Sequence, residues 1–122
     1  VGKRPRCCRY LQAFIESWRK EERTLNDASL FVLLLTLEMI IPDARSLKEK
    51  RGPLKSVKER LRSRFNASVA EVGYRDKWQR SVLAVCMVGG DRRHLESEAE
   101  KLCRLVEEMP EIQMSRVDRD WL

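Results

Sequence analysis

SLFVLLLTLEMII, Ser29 to Ile41, is apolar at nearly every position, odd and even alike; only Thr36 and Glu38 interrupt it before Pro42. Side chains of a strand point alternately to opposite faces, so a half-solvated strand alternates and a run apolar on both faces belongs in the middle of a sheet. The segment therefore predicts a central strand. SVLAVCMV, Ser81 to Val88, has the same character, ends at Gly89 and Gly90, and predicts a second central strand.

Between these runs, Leu54, Val57, Leu61 and Phe65 recur at spacings of three and four within residues 46–65, which makes one apolar helical face among charges. Gly52 and Pro53 fall inside that pattern. Proline lacks an N–H and its ring clashes with the preceding turn, whereas the first helical position suits it. The reading is a regular helix starting at Pro53, with Ser46 to Arg51 as a separate turn. Asn66 to Tyr74 (NASVAEVGY) is short, alternating and closed by Gly73, the pattern of a strand. After the third strand, Asp91 can cap a helix carrying Leu95, Ala99, Leu102, Val106 and Met109 and stopped by Pro110. Ile112 to Trp121 carries several charges and reads as an edge strand.

The order strand, helix, strand, strand, helix, strand is that of the ferredoxin-like split βαβ arrangement, an α+β fold with a four-stranded antiparallel sheet. Its central strands are the first and third, the two runs that are apolar on both faces. Both helices cover one sheet face in this arrangement, so the other would leave an apolar patch that something must cover. A second copy of the chain is one candidate cover. The other is the segment 1–29, read as an appendage to a domain spanning 30–122. There Leu11, Phe14, Ile15 and Trp18 have amphipathic-helix spacing, behind Lys3, Arg4, Arg6 and Arg9. Packing on its own domain is the plainer role for that helix; membrane-surface or partner binding are the others.

With 122 residues, 43% hydrophobic and 36% charged, the chain has the size of one domain and is too apolar for disorder. Its longest apolar run is far short of the roughly 20 residues that span a bilayer. Glu16, Arg19 and Lys20 break any signal-peptide core, so a cytoplasmic location is expected. The cysteines at 7, 8, 86 and 103 show no paired spacing, and His94 is the only histidine; a metal site wants ligand pairs. Gly89 and Gly90 precede Asp91 and make no phosphate-cradling loop. The carboxylates from Glu96 to Glu111 are spread around a helix and its end. The expectation is a protein without catalytic residues, cofactor or metal.

Charge is the informative feature. From Arg45 to Arg64 there are nine Lys or Arg against Glu49 and Glu59, a net of +7 in a chain of net charge +6. Lys55, Lys58 and Arg62 lie at i, i+3 and i+7, one stripe, which Lys48 and Arg51 would extend if the helix ran unbroken from Ser46. A concentrated basic patch is the footprint of a phosphate-backbone binder. The plainer reading is that a surface helix is charged in any case and that some of its cations pair with the acidic second helix. Trp78 stands between the second and third strands beside Lys77 and Arg80, a flat surface for a base or a partner side chain, or a ring packed on its own hairpin. The candidate nucleic-acid contacts are Arg45, Lys48, Lys50, Arg51, Lys55, Lys58, Arg62, Trp78 and Arg80.

PDARSLKEKR (Pro42 to Arg51), RLRSRFNASVAEV (Arg60 to Val72) and WQRSVLAV (Trp78 to Val85) resemble the bacterial YlxP-like family, small proteins of unassigned biochemical function. The resemblance runs from Phe31 to the end. It implies a ferredoxin-like fold and genes placed beside translation-initiation and ribosome-maturation factors, and so a ribosome or structured-RNA partner. Relatives continue a helix where Gly52 and Pro53 stand here. They have no counterpart of residues 1–29 and begin near Leu30, which makes an over-extended gene start one reading of that segment. Two functions stay open from the sequence: a ribosome- or RNA-associated binding protein, and an interaction or homodimerisation module without nucleic acid.

Overall fold

The two doubly apolar runs form β1 (Phe31–Ile40) and β3 (Arg80–Gly89), paired antiparallel along their whole length from Phe31 opposite Gly89 to Ile40 opposite Arg80. A computed structural model describes residues 29–122, together with Ala13 and Glu16. The remaining elements are α1 (Leu47–Arg64), β2 (Ala67–Gly73), α2 (Arg92–Glu107) and β4 (Gln113–Trp121). All strand pairs are antiparallel and the sheet order is β2-β3-β1-β4. This is the ferredoxin-like arrangement, with β1 and β3 central as the sequence predicts.

One face of the sheet and the two helices enclose the core. Leu33, Leu35, Leu37 and Met39 of β1 and Leu83 and Val85 of β3 have no exposed surface. Opposite them lie Leu54, Val57 and Leu61 of α1 and Leu95, Ala99, Leu102 and Val106 of α2. α1 packs over β2, and α2 over β3, β1 and β4. Burying each such large side chain contributes about 1.5–3 kcal/mol, and truncating one to alanine costs about 2–5 kcal/mol because the site cannot fully collapse.

No helix covers the opposite face among the described residues. By register it carries Leu34, Thr36, Glu38 and Ile40 of β1, Val82, Ala84, Cys86 and Val88 of β3, and Arg116, Asp118 and Asp120 of β4. It is thus apolar along its centre and charged along the β4 side. The amphipathic helix expected around Leu11, Phe14, Ile15 and Trp18 lies outside the described residues. Among the described residues, no helix is long and apolar enough to cross a membrane.

α1 departs from the sequence reading. It does not start at Pro53 but runs unbroken from Leu47, with Pro53 inside it. Two anchors hold the turn before the proline. Ser46 Oγ accepts the Glu49 N–H at 3.0 Å while Glu49 Oε2 accepts the Arg45 N–H at 2.6 Å, a variant of the capping box. One turn on, Lys50 is buried and bonded across to β2 and the loop after it. Gly52, with no Cβ to meet the proline ring, eases the usual conflict before proline.

Candidate nucleic-acid interface

Because α1 is continuous, Lys48, Arg51, Lys55, Lys58 and Arg62 form a single stripe from its first turn to its last. The apolar stripe of the same helix faces the sheet, so the cations lie along its flank. That flank is the β2 side: an Arg62 guanidinium N–H donates to the Val69 carbonyl of β2 at 2.6 Å. Arg45, Lys48, Arg51 and Lys55 are exposed, Lys58 is half-buried, and Arg62 is exposed apart from that bond. Lys55 comes within 3.9 Å of Glu59, both side chains mostly in solvent, a geometry worth little.

Eight basic residues on α1 stand against Glu49 and Glu59, a surplus of six positive charges. α2 carries Arg92, Arg93, Lys101 and Arg104 against Glu96, Glu98, Glu100 and Glu107 and is neutral. Its charges neutralise one another at helical spacing, Arg92 with Glu96 at 3.5 Å and Lys101 with Glu98 at 3.4 Å. Among the described residues, no ion pair joins a cation of α1 to α2.

Lys50 does not belong to the interface its sequence position suggested. It is 2% exposed, with its ammonium 2.9 Å from Glu71 Oε2 and donating to the Tyr74 carbonyl at 2.8 Å. Ser81, fully buried, donates to the same Glu71 oxygen at 2.7 Å. The physical reason lies in spacing: Lys50, Leu54, Val57 and Leu61 occupy one face at steps of four, three and four, so Lys50 points inward with the apolar stripe. A buried ammonium is retained only when paired and hydrogen-bonded, and here it is both.

The pair holds the start of the β2–β3 hairpin. β2 ends in a bulge, where Val72 is extra between Glu71 opposite Leu83 and Gly73 opposite Val82; a Cβ on Gly73 would come within 2.9 Å of the Val82 side chain. Tyr74 follows with φ 53°, the one non-glycine residue of positive φ among the described residues. Such backbone costs on the order of 1 kcal/mol and persists when neighbours over-determine it; Lys50 on the Tyr74 carbonyl is one such neighbour. At the far end, Gln79 Nε2 donates to the Pro42 and Ala44 carbonyls at 3.2 and 3.1 Å, and the Ile41 N–H donates to the Gln79 carbonyl at 2.8 Å. Arg80 pairs with Glu38 and stacks over the Tyr74 ring at 4.2 Å. Trp78, between these anchors, is 54% exposed. Arg51 of α1 and Arg75 of the hairpin line one small depression, which joins the helix stripe to the hairpin.

A family model described as a protein of unknown function, DUF503, matches residues 32–119. The chain belongs to the DUF503 family. It is also 38% identical over 84 residues to an uncharacterized protein YlxP of Bacillus subtilis (strain 168), a match covering 69% of this chain and 91% of that relative. The α1 stripe and the hairpin both lie inside the DUF503 match, as does every candidate contact from Arg45 to Arg80.

Within this DUF503 domain, the sequence reading missed Tyr74 and Arg75. The available signal was the composition of YRDKWQR, Tyr74 to Arg80, two aromatics among three cations. The remaining nucleophile of note, Cys103 on α2, is half-buried. Burial pushes its thiol up, Arg119 beside it pulls the other way, and Glu107 adds to the rise.

Proposed function

We propose that this chain is a non-catalytic, cytoplasmic RNA-binding protein that docks on structured RNA, of the kind a ribosome presents, through the β2-side flank of α1. The observation that carries the reading is the surplus of positive charge on α1, seven basic residues against Glu49 and Glu59 once the buried Lys50 and its partner Glu71 are set aside, beside a neutral α2. A surface helix needs charge for solvation, and α2 shows that balanced charge suffices. A one-sided surplus on a solvated flank attracts polyanions. The gene neighbourhood implied by the YlxP-like resemblance points the same way. Recognition would rest on phosphates and RNA shape: the open face of β3 offers Val82, Ala84, Cys86 and Val88, not the aromatic platform on which sheet-based RNA modules stack bases.

The test is a salt series on the full chain with purified ribosomal subunits or ribosomal RNA. Lys48→Gln, Arg51→Gln and Lys55→Gln are combined, since all three side chains are exposed and none supports the core. Each lost phosphate contact should make the salt slope shallower by slightly under one, so the triple variant should bind more weakly with a slope shallower by about two to three. Equal binding by the triple variant at every salt concentration removes the reading.

A second reading is favoured by the sheet face that no helix covers among the described residues, where Val72 and Val88 are 55% and 53% exposed. Homodimerisation through that face would cover them without nucleic acid. Sedimentation of wild type and Val88→Arg decides it: a dimer dispersed by the substitution supports this reading, and a wild-type monomer ends it.

A further inference from the structure

We infer that the β2–β3 hairpin is a stacking site for one unpaired base of the RNA, with Trp78 as its platform; the inference rests on the RNA reading above and adds what kind of RNA is preferred. Three observations carry it. Trp78 is 54% exposed, a large flat ring left to solvent in the same hairpin as Arg75. The loop presenting it is fixed at both ends, by Lys50 on the Tyr74 carbonyl and by Gln79 on the Pro42 and Ala44 carbonyls. Little ordering entropy is left to lose on binding. The third observation is charge: Arg75 and Lys77, with Asp76 between them, precede the ring in sequence, and Arg75 shares a depression with Arg51 of α1. A phosphate chain following α1 is thereby led to the hairpin.

A nucleobase on its phosphate chain matches an aromatic face among cations, and every base offers a π-face, so the site is tolerant of sequence. A base paired inside a duplex cannot reach such a platform, whereas a bulged or loop nucleotide can. Arg80 is a positioning residue here, its guanidinium already engaged by Glu38 and the Tyr74 ring.

The experiment measures binding of the full chain to two short RNAs, a perfect duplex and the same duplex with one bulged adenosine, using wild type, Trp78→Ala and Trp78→Phe. Wild type should prefer the bulged RNA. Trp78→Ala should lose about 5- to 150-fold on that RNA alone, the affinity equivalent of one base stacked on an aromatic ring. Trp78→Phe, which keeps a flat ring, should retain most of the preference. Unchanged affinity of Trp78→Ala for the bulged RNA, or an equal loss on both RNAs, overturns the stacking site and leaves the phosphate-binding reading standing. If wild type binds neither RNA, both fall.

Discussion

α1 and α2 lie on the same face of one sheet, bury comparable apolar stripes and turn their other sides to water, yet they handle charge in opposite ways. On α2 the acids and bases alternate at helical spacing and cancel. On α1 they do not: Glu59 is the near partner of Lys55, Glu49 is engaged with the backbone at the cap, and one cation, Lys50, is buried in the fold. α2 is what solvation alone produces. The proposed RNA-binding role rests on this difference between the helices rather than on the basic charge of either. It also separates the cations of α1 into those tied to β2 and its loop, Lys50 and Arg62, and those that face solvent.

The largest expected effect tests that last separation. Lys50→Met removes the partner of the partly buried Glu71 carboxylate and the donor to the Tyr74 carbonyl and should cost about 2–4 kcal/mol in denaturant unfolding, whereas Lys55→Met on the same helix should change stability by less than about 0.5 kcal/mol. Adding Glu71→Leu to Lys50→Met should recover most of the loss, since a well-packed apolar pair can replace a buried ion pair. Similar costs for Lys50→Met and Lys55→Met would erase the distinction.

Next in size is the contrast between helices. Neutralising Lys48, Arg51 and Lys55 should weaken RNA binding about 10- to 100-fold at moderate salt, while Arg93→Gln with Arg104→Gln on α2 should leave its salt slope unchanged. Equal losses from the two helices would mean that net charge, and not the α1 surface, attracts the RNA. Smaller again is the effect of the proline that α1 has and α2 lacks. Pro53→Ala restores an N–H to the Glu49 carbonyl and removes a ring clash, against the greater freedom it gives the unfolded chain; a net gain of about 1–2 kcal/mol is expected, read as a higher Tm. The smallest effect concerns Cys103. Its raised pKa means less thiolate at neutral pH, so peptide-resolved alkylation should be slow there and accelerate only at a pH above that of a free thiol. Fast alkylation at neutral pH would contradict a half-buried setting for it.

The sheet was legible because its signal is local and redundant: two runs apolar on both faces, at the first and third strand positions, fit the centre of a ferredoxin-like sheet. The start of α1 was not, because the proline argument is local and what outweighs it is partly long-range. Glu71, Ser81 and the Tyr74 carbonyl, which anchor the turn before Pro53 through Lys50, come from other elements. Lys50 itself was readable in hindsight of spacing, four residues before Leu54 on the apolar stripe, but charge type outweighed position. The basic stripe could be read residue by residue, since exposed side chains follow helical geometry. Its connection to the hairpin could not, because the depression shared by Arg51 and Arg75 exists only once β2 lies beside α1.

The sheet has one more consequence, for the order in which the chain can fold as it is made. β1 pairs with β3 on one side and β4 on the other, and the β4 register joins Leu33 to Trp121 across almost the whole described chain. The Leu122 N–H closes the ladder on the Val32 carbonyl at 2.9 Å. During synthesis, β1 emerges first among the described strands and waits with one edge unpaired until the end of β4 has left the ribosome. A strand as apolar as FVLLLTLEMI is prone in that interval to pair with the wrong edge. One edge of β1 thus stays open to misassembly until β4 arrives, after the other has been closed by β3, and shielding of β1 by a chaperone would matter until then.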